Sequence, residues 1–283
     1  MTPSTHPLFW RDDALPQVEL RYVPDGHKVA YAAHSHREWS IGAILDGKSA
    51  FLCADRQHTV SHGDIVMMDP NIVHACNPLP NSPWAYYMMH IDVSWLAGIL
   101  YESGLSPHID FYSANMDTLK SEYFYKKFIQ LAHCLMRDTC TQKNELNAQK
   151  AAMLKSYLVR LFEYLYSENQ QRIGRKKPSP PATILAVAAY LDEYYLDNQS
   201  IKQLSQRFNI STSYLVRSFT KHFSMSPHAY RLNKRIQEGQ IALKSGCNIV
   251  DIAQTVGFND QAHFQRSFKQ RVAATPKQYQ SKK

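Results

Sequence analysis

Four side chains in the first third of the chain have the types and spacing of a metal or polar-ligand site. His34, His36 and Glu38 alternate along the sequence, and they would share one face of a strand. His74 follows later in the chain. Imidazole and carboxylate groups can bind a divalent metal, contact a small polar molecule or line the rim of a pocket. The interpretation without a metal is favoured, so no metal ligand and no cofactor are predicted.

A second segment has the pattern of a phosphate-binding loop. Residues 42–49 (GAILDGKS) satisfy G-x-x-x-x-G-K-S, and residues 65–69 resemble the strand that accompanies such a loop. A phosphate-binding loop must leave a strand and begin a helix, so that backbone amides point at the phosphates. The spacer residues here favour strand and Gly47 is predicted in a hairpin turn, so nucleotide binding is rejected. No other catalytic arrangement stands out, and we expect no catalytic residues.

The residues up to about 95 predict the strands that would position these side chains. Apolar runs are separated by Asp46-Gly47 and His62-Gly63, and the first pair is typical of a hairpin turn. Repeated short strands favour a β-barrel or a β-sandwich. The alternative for the interior is a plain aromatic core. The predicted ligand-binding residues are His34, His36, Glu38, Trp39, His74, Trp84, Tyr86 and His90.

Helical patterns replace the strands between about 95 and 168. One apolar stripe starts at Phe124 and repeats at +4, +3 and +4, and a second stripe covers Ala151–Leu165. The second stripe is short for a coiled coil, and it predicts either packing on its own β-region or the seam of a dimer. Residues 169–181 are rich in proline and basic residues and predict a linker.

Charge is distributed unevenly along the 283 residues. The net charge is +8, and residues 171–283 contain 18 Lys and Arg against 6 Asp and Glu, a net of +12. Such a segment favours a polyanion as partner. No apolar run has the length of a membrane span or of a secretory signal, and the five cysteines lack the spacing of zinc ligands. We therefore expect a cytoplasmic protein that does not bind membranes.

The basic segment contains an internal repeat. Residues 201–211 (IKQLSQRFNIS) align with residues 249–259 (IVDIAQTVGFN), and after one extra residue near Asp260 the similarity continues to Tyr279. Each copy predicts a short helix, a tight turn and a second helix with apolar anchors. This is the helix-turn-helix pattern, at about 200–222 and 248–271.

Local signals predict where these helices begin and end. Asn209 and Gly257 stand where the tight turn needs a residue that tolerates a positive φ. Ser211 and Asn259 are predicted to cap the second helices. Residues 227–245 predict a connecting helix of about 28 Å, somewhat shorter than the roughly 34 Å between successive major-groove faces.

The outward faces of the two second helices are predicted to contact DNA. A rotation of 100° per residue turns these positions away from the apolar anchors. Arginine suits guanine, glutamine suits adenine, small apolar side chains suit the thymine methyl, and later residues suit phosphates. The predicted DNA-binding residues are Ser213, Val216, Arg217, Thr220, Gln261, Ala262, Gln265, Arg266 and Lys269.

The run Ser200–Tyr279 resembles the DNA-binding domain of the AraC/XylS family of bacterial transcription regulators, above all over IVDIAQTVGFNDQAHFQRSFKQRVAATPKQY. The resemblance implies a domain of seven helices that begins near Thr183 and reads two adjacent major grooves. Three positions depart from the family pattern. Ser224 and Ala273 replace a usual glycine, and Val272 replaces a usual aromatic residue.

The β-region resembles, more loosely, the cupin-like sensing domain of many AraC-type regulators. Metal-binding cupins hold their ion with two histidines, a glutamate and a later histidine. Glu38 follows His36 more closely than that motif allows, and the segment around His74 is also off its spacing. The resemblance implies a pocket for a small polar or aromatic effector, with residues 1–19 either folded over it as an arm or disordered.

Together these patterns predict an α+β protein of two domains. Residues 1–168 form a cupin-like β-barrel with flanking helices, and residues 182–283 form an all-α domain with two helix-turn-helix motifs. The expected function is sequence-specific activation or repression of transcription, without catalysis. The expected partners are double-stranded DNA, a small-molecule effector, RNA polymerase and a second copy of the chain. Two alternatives stay open: a metal-dependent cupin enzyme fused to a DNA-binding module, and an effector-independent regulator whose β-domain only dimerises.

Overall fold

A computed structural model describes residues 6–27, 31–137, 143–170 and 179–280. Most of the predicted linker at 169–181 lies outside these described residues. The N-terminal part begins with strands and ends with helices. The strands are β1 (Leu8–Trp10), β2 (Val18–Val23), β3 (Trp39–Cys53), β4 (Arg56–Ser61), β5 (Asp64–Met68), β6 (His74–Pro78), β7 (Trp84–Ile91) and β8 (Thr118–Lys120). The helices are α1 (Val93–Glu102), α2 (Glu122–Met136) and α3 (Lys143–Gln170).

The strands pair in antiparallel fashion in the order β1-β2-β7-β3-β5-β8, with β4 and β6 both pairing with β3. This confirms the predicted cupin-like β-domain with flanking helices. One strand lies beyond the predicted limit of about residue 95, because β8 pairs with β5 after α1.

The prediction of a hairpin turn at Asp46-Gly47 is wrong, because strand β3 runs through both residues. The first half of β3 pairs with β5 and β7, and the second half pairs with β4 and β6. The register shifts between Ile44 and Asp46, and Gly47 has a φ of +80°. A Cβ on Gly47 would lie 1.5 Å from the Pro83 carbonyl oxygen. Glycine here permits the positive φ and the close approach of Pro83 beside the bulge, where β3 passes from one sheet into the next, and no helix follows it to hold a phosphate.

The bulge also changes which side chains of β3 face inward. Before it, Trp39 and Ile41 pack with the helices, whereas Ile44 faces the barrel interior. After it, the odd-numbered Phe51 and Cys53 face the interior. One extra residue therefore reverses the alternation, since side chains of a strand point to opposite faces in turn.

The two helical stripes pack against the β-domain of the same chain. Phe128 in α2 and Leu154, Leu158 and Leu161 in α3 have 0% of their surface exposed. They belong to one core with the strands. The stripe of α3 is therefore not available as a dimer seam.

The C-terminal part contains seven described helices, as the resemblance implies. They are α4 (Ala182–Glu193), α5 (Ile201–Arg207), α6 (Thr212–Phe223), α7 (Pro227–Lys244), α8 (Ile249–Thr255), α9 (Gln261–Val272) and α10 (Pro276–Gln280). The side chain of Ser211 caps α6 as predicted. The cap of α9 is Asp260 and not Asn259, because the extra residue of the second copy shifts the helix start by one. None of the described helices is long and apolar enough to cross a membrane.

Four turn positions within or directly after the two helix-turn-helix motifs adopt the left-handed conformation. Asn209 and Gly257, in the turns of the two helix-turn-helix motifs, have φ values of +50° and +82°, as predicted. Ser224 and Ala273 end α6 and α9 with φ values of +56° and +54°. A side chain in this conformation crowds the following carbonyl, which explains the glycine that the family usually has at both positions.

Replacing Ser224 or Ala273 by glycine should therefore raise the free energy of unfolding, by about 1 kcal/mol each. Urea denaturation of the full chain measures this. The matched control is Ser245→Gly, because Ser245 ends α7 with a φ of −77° and gains nothing from glycine. If the urea midpoints of Ser224→Gly and Ala273→Gly are no higher than that of Ser245→Gly, the two turns carry no backbone strain.

Candidate functional site

Two exposed helix faces carry the predicted DNA-binding residues. The anchors Leu215, Phe219, Phe264 and Phe268 have 0% of their surface exposed. Gln261 is half-buried. The exposed members of the predicted set are Ser213, Val216, Arg217, Thr220, Ala262, Gln265, Arg266 and Lys269. The rotation of 100° per residue thus gives the correct faces, while the contacts of these side chains with bases stay a prediction.

The two motifs are joined by a buried arginine that the sequence did not reveal. Arg235 of α7 donates from Nε to the Tyr195 carbonyl at 2.8 Å and from Nη1 to the Gly257 carbonyl at 2.6 Å. Its Nη2 donates to the Leu196 carbonyl at 3.1 Å and to Asn198 Oδ1 at 2.8 Å. These partners lie in the segment before α5 and in the turn after α8. One side chain therefore fixes the second motif relative to the first.

A cavity opens inside the β-barrel, with an empty volume of about 460 Å³ including its mouth. Five predicted ligand-binding residues line it, namely His34, His74, Trp84, Tyr86 and His90. Its apolar wall consists of Ile44, Phe51, Val66, Met68 and Met88. Arg21, Tyr31 and Cys76 complete the lining and were not predicted. The hydroxyls of Tyr31 and Tyr86 are hydrogen-bonded to each other.

Two parts of the ligand-site prediction need correction. Trp39 lines neither cavity described here, because it precedes the bulge and packs on Phe162, with 5.1 Å between ring centroids. Residues 34–38 form a loop before β3 instead of a strand, and His34 makes an isolated bridge with His74. The loop turns back on itself, and this turn, not a strand face, brings His36 and Glu38 together.

Four histidines form a continuous row between the barrel and its open end. Successive ring centroids are 4.4 Å apart for His34 and His74, 4.7 Å for His74 and His36, and 4.7 Å for His36 and His90. Burial lowers the pKa of all four imidazoles, and neighbouring histidines lower it further. For His36 and His74 the pKa falls to about 3. The row is therefore neutral at physiological pH.

A second cavity, of about 490 Å³ including its mouth, lies between the two domains. His36 and Glu38 line it from the β-domain, and His34 and His90 line both cavities. The wall from the C-terminal domain includes Asn233, Gln240, Lys244, Arg271 and Tyr279. The predicted ligand-binding residues are thus divided between the barrel interior and the domain interface.

Ion pairs and hydrogen bonds hold the two domains together around this cavity. Glu19 of β2 pairs with Lys244 at 3.1 Å and with Arg11 at 2.7 Å. Burial raises the pKa of Glu19, but Lys244 and Arg11 lower it more, so the net pKa is below its usual value. The predicted arm contributes here, since Phe9 packs edge-on against Tyr279 at 5.3 Å. The described part of the arm therefore contacts the C-terminal domain.

Arg21 connects the barrel cavity with the domain interface. It lines both cavities, and its Nη1 donates a hydrogen bond to the Val272 carbonyl at the end of α9. Within the described part of the chain, nothing accepts a hydrogen bond from the buried Nε of Arg21 or from that of Arg271. Two buried guanidinium groups thus keep a donor available. Sequence patterns gave no signal for either, because each faces a segment about 250 residues away.

Comparison with known families covers both parts of the chain. Residues 17–162 match the model of the AraC-like ligand binding domain. Residues 204–282 match the model of a helix-turn-helix domain.

Similar curated proteins are transcriptional regulators. The HTH-type transcriptional regulator YbfI of Bacillus subtilis is 26% identical over 230 residues, which is 81% of this chain and 80% of that protein. The raffinose operon transcriptional regulatory protein RafR of Pediococcus pentosaceus is 28% identical over 84% of this chain and 83% of its own length. These relatives give no support to the alternative of a metal-dependent enzyme.

Solved structures of ToxT from Vibrio cholerae share the two-domain fold. An apo variant superposes with a TM-score of 0.56 at 12% identity, covering 93% of this chain and 97% of ToxT. Wild-type ToxT with a bound unsaturated fatty acid gives a TM-score of 0.53 at 12% identity, covering 97% and 92%. The sequence and the structure point to the same family as these comparisons. The observations are the internal repeat, the two exposed helix faces, the β-barrel cavity and the two matching family models. The chain belongs to the AraC family of DNA-binding transcription regulators, with a ligand-binding domain preceding its helix-turn-helix domain.

Proposed function

We propose that this regulator places α6 and α9 in two successive major grooves of one operator. The observation that carries the proposal is that equivalent positions, Arg217 and Arg266 foremost, are exposed on both helices. The two motifs stand at either end of α7, which has 18 residues and a length of about 27 Å. We divide the chain at residues 1–168, 169–181 and 182–283, as the sequence predicts.

Each exposed side chain has a proposed role. Arg217 and Arg266 form paired hydrogen bonds with guanine, and Gln265 pairs with adenine. Thr220 and Lys269, later in their helices, contact phosphates. The remaining residues of the predicted set contact base edges or thymine methyl groups at the starts of the helices, namely Ser213, Val216, Gln261 and Ala262.

The test of these roles is the loss of base preference. Arg217→Ala and Arg266→Ala should each weaken binding to the operator by about 1–3 kcal/mol, while binding to unrelated DNA changes little. Competition binding with single-base operator variants measures this. The matched control is Arg160→Ala, since Arg160 is exposed on α3 in the other domain. An equal loss on all sequences would assign both arginines to phosphates instead.

The barrel cavity is proposed to bind an effector that is an organic acid with an apolar group. Its apolar wall accommodates the apolar part, and the unpartnered Nε of Arg21 provides a donor for the carboxylate. A fatty acid bound to ToxT belongs to the same chemical class. The same guanidinium donates from Nη1 to the Val272 carbonyl, so a carboxylate on Nε would bind to the side chain that links the barrel to α9.

A thermal-shift screen tests the effector class. Aliphatic and aromatic acids should raise the melting temperature, and their amides should not. Arg21→Met should remove the response, whereas His62→Gln, an exposed position, should keep it. A response to uncharged sugars alone would contradict the proposed class. No response to any compound would favour the effector-independent alternative.

We further propose that a homodimer contacts RNA polymerase, with activation or repression set by operator position. Support for a dimer comes from exposed apolar side chains on the outer face of α2 and α3, namely Tyr123, Met153 and Tyr164. Exposed apolar groups of this kind are frequent in interfaces. The buried stripe of α3 takes no part in this proposal.

A further inference from the structure

Three side chains in the interdomain cavity bring their ligand atoms together. His36 and Glu38 come from the loop before β3, and His90 comes from β7. One nitrogen of each imidazole and one carboxylate oxygen of Glu38 all lie within 4.8 Å of one another. The three residues come from two segments, the loop before β3 and strand β7, so their convergence is a property of the tertiary fold.

The hydrogen bonds of His36 fix which of its nitrogens is available. Its Nδ1 lies 2.8 Å from the Glu38 carbonyl, and a carbonyl can only accept. Nδ1 therefore carries the proton and Nε2 keeps its lone pair, which lies 3.3 Å from the Ser40 hydroxyl, a contact that a bound metal would replace. Metal-binding histidines typically donate their other N–H to a backbone carbonyl in this way, which orients the ring and sets the tautomer. His36 thus has the tautomer and the fixed ring orientation that are typical of a metal ligand.

The ligand types and the charged side chains around the site indicate which kind of ion it would bind. Two imidazoles and one carboxylate suit zinc and related transition metals, whereas magnesium and calcium prefer oxygen ligands alone. Arg21, Lys244 and Arg271 in the same cavity oppose a cation, and Glu19, paired with Lys244, offsets part of that charge.

We propose that His36 Nε2, His90 and the Glu38 carboxylate bind a divalent transition-metal ion of the zinc class between the two domains. This site adjoins the proposed effector cavity, because His90 lines both cavities, and it includes none of the predicted DNA-binding residues. The opposite wall of the cavity belongs to the DNA-binding domain and includes Asn233 and Lys244. An ion here therefore lies at the surface through which the two domains contact each other.

Cobalt provides the test, because Co²⁺ replaces Zn²⁺ in such sites and absorbs visible light when bound. The full chain, without an affinity tag and after treatment with a chelator, is titrated with Co²⁺, and Zn²⁺ is then added in competition. We expect one equivalent of Co²⁺ per chain, displaced by Zn²⁺. Glu38→Gln and His90→Gln should each weaken binding by about tenfold or more.

The controls separate this result from loss of folding and from the DNA-binding function. His62→Gln removes an exposed histidine far from the cavity in sequence and should bind Co²⁺ like the wild type. Operator binding by the metal-free variants confirms that they are folded and is independent of the cobalt spectrum. A wild type that binds no Co²⁺ would overturn the proposal. So would unchanged affinity in both Glu38→Gln and His90→Gln.

Discussion

Operator binding should weaken by about 10³–10⁵-fold when salt rises from about 50 to 200 mM, the range for proteins with 6–10 phosphate contacts. The physical reason is that each contact with a phosphate releases a counterion from the DNA, and added salt opposes this release. Residues 171–283 carry a net charge of +12, against −4 for residues 1–170. The DNA-binding domain therefore provides the electrostatic attraction, and the ligand-binding domain does not add to it.

Fluorescence anisotropy with an operator duplex, repeated over a series of NaCl concentrations, measures this slope. Lys269→Gln should reduce the slope by about one contact, because Lys269 is exposed late in α9 and is proposed to meet a phosphate. Arg160→Gln in the other domain is the matched control. An operator affinity that does not change with NaCl concentration would contradict the proposal that the basic domain binds DNA through phosphate contacts.

Replacing Arg235 by methionine should lower the free energy of unfolding of the DNA-binding domain by at least about 3 kcal/mol. Methionine keeps much of the volume but donates no hydrogen bond, so the carbonyls of Tyr195, Leu196 and Gly257 lose their partner. These hydrogen bonds are part-buried, and each hydrogen bond made by a charged group contributes about 1.5–3 kcal/mol. The effect is large because one side chain satisfies several groups at once.

Chemical denaturation of the full chain, followed by operator binding of the folded fraction, measures the effect of Arg235→Met. The matched control is Arg207→Met, since Arg207 is exposed and lies over the ring of Tyr190 at 4.5 Å. We expect the control to lose about 1 kcal/mol or less. A loss of that size for Arg235→Met would mean that the two motifs do not depend on this link.

The parts of the fold that local patterns determine were predictable from the sequence. The repeat predicted both helix-turn-helix motifs, because apolar anchors and turn residues recur within each short copy. Asn209 and Gly257 have the positive φ that their positions in the turns require. The outward faces of α6 and α9 follow from helical geometry once the anchors are known.

The parts that depend on distant pairing were not predictable. Asp46-Gly47 has the composition of a hairpin turn, yet both residues pair with β7 and β3 stays continuous, with the bulge just before them between Ile44 and Asp46. That bulge decides which face each residue of β3 presents, so Trp39 packs on a helix. The interdomain cavity joins residues separated by about 250 positions, such as Arg21 and Arg271. No periodicity within one segment reports such contacts.

Hydroxyl-radical footprinting of an operator half-site bound by one chain tests the central claim most directly. The account predicts two protected stretches on one face of the duplex, separated by about 10 base pairs, one helical turn. Arg266→Ala should weaken protection in one stretch, and Arg217→Ala should weaken it in the other. A single protected stretch per chain, or the same stretch weakened by both substitutions, would contradict it.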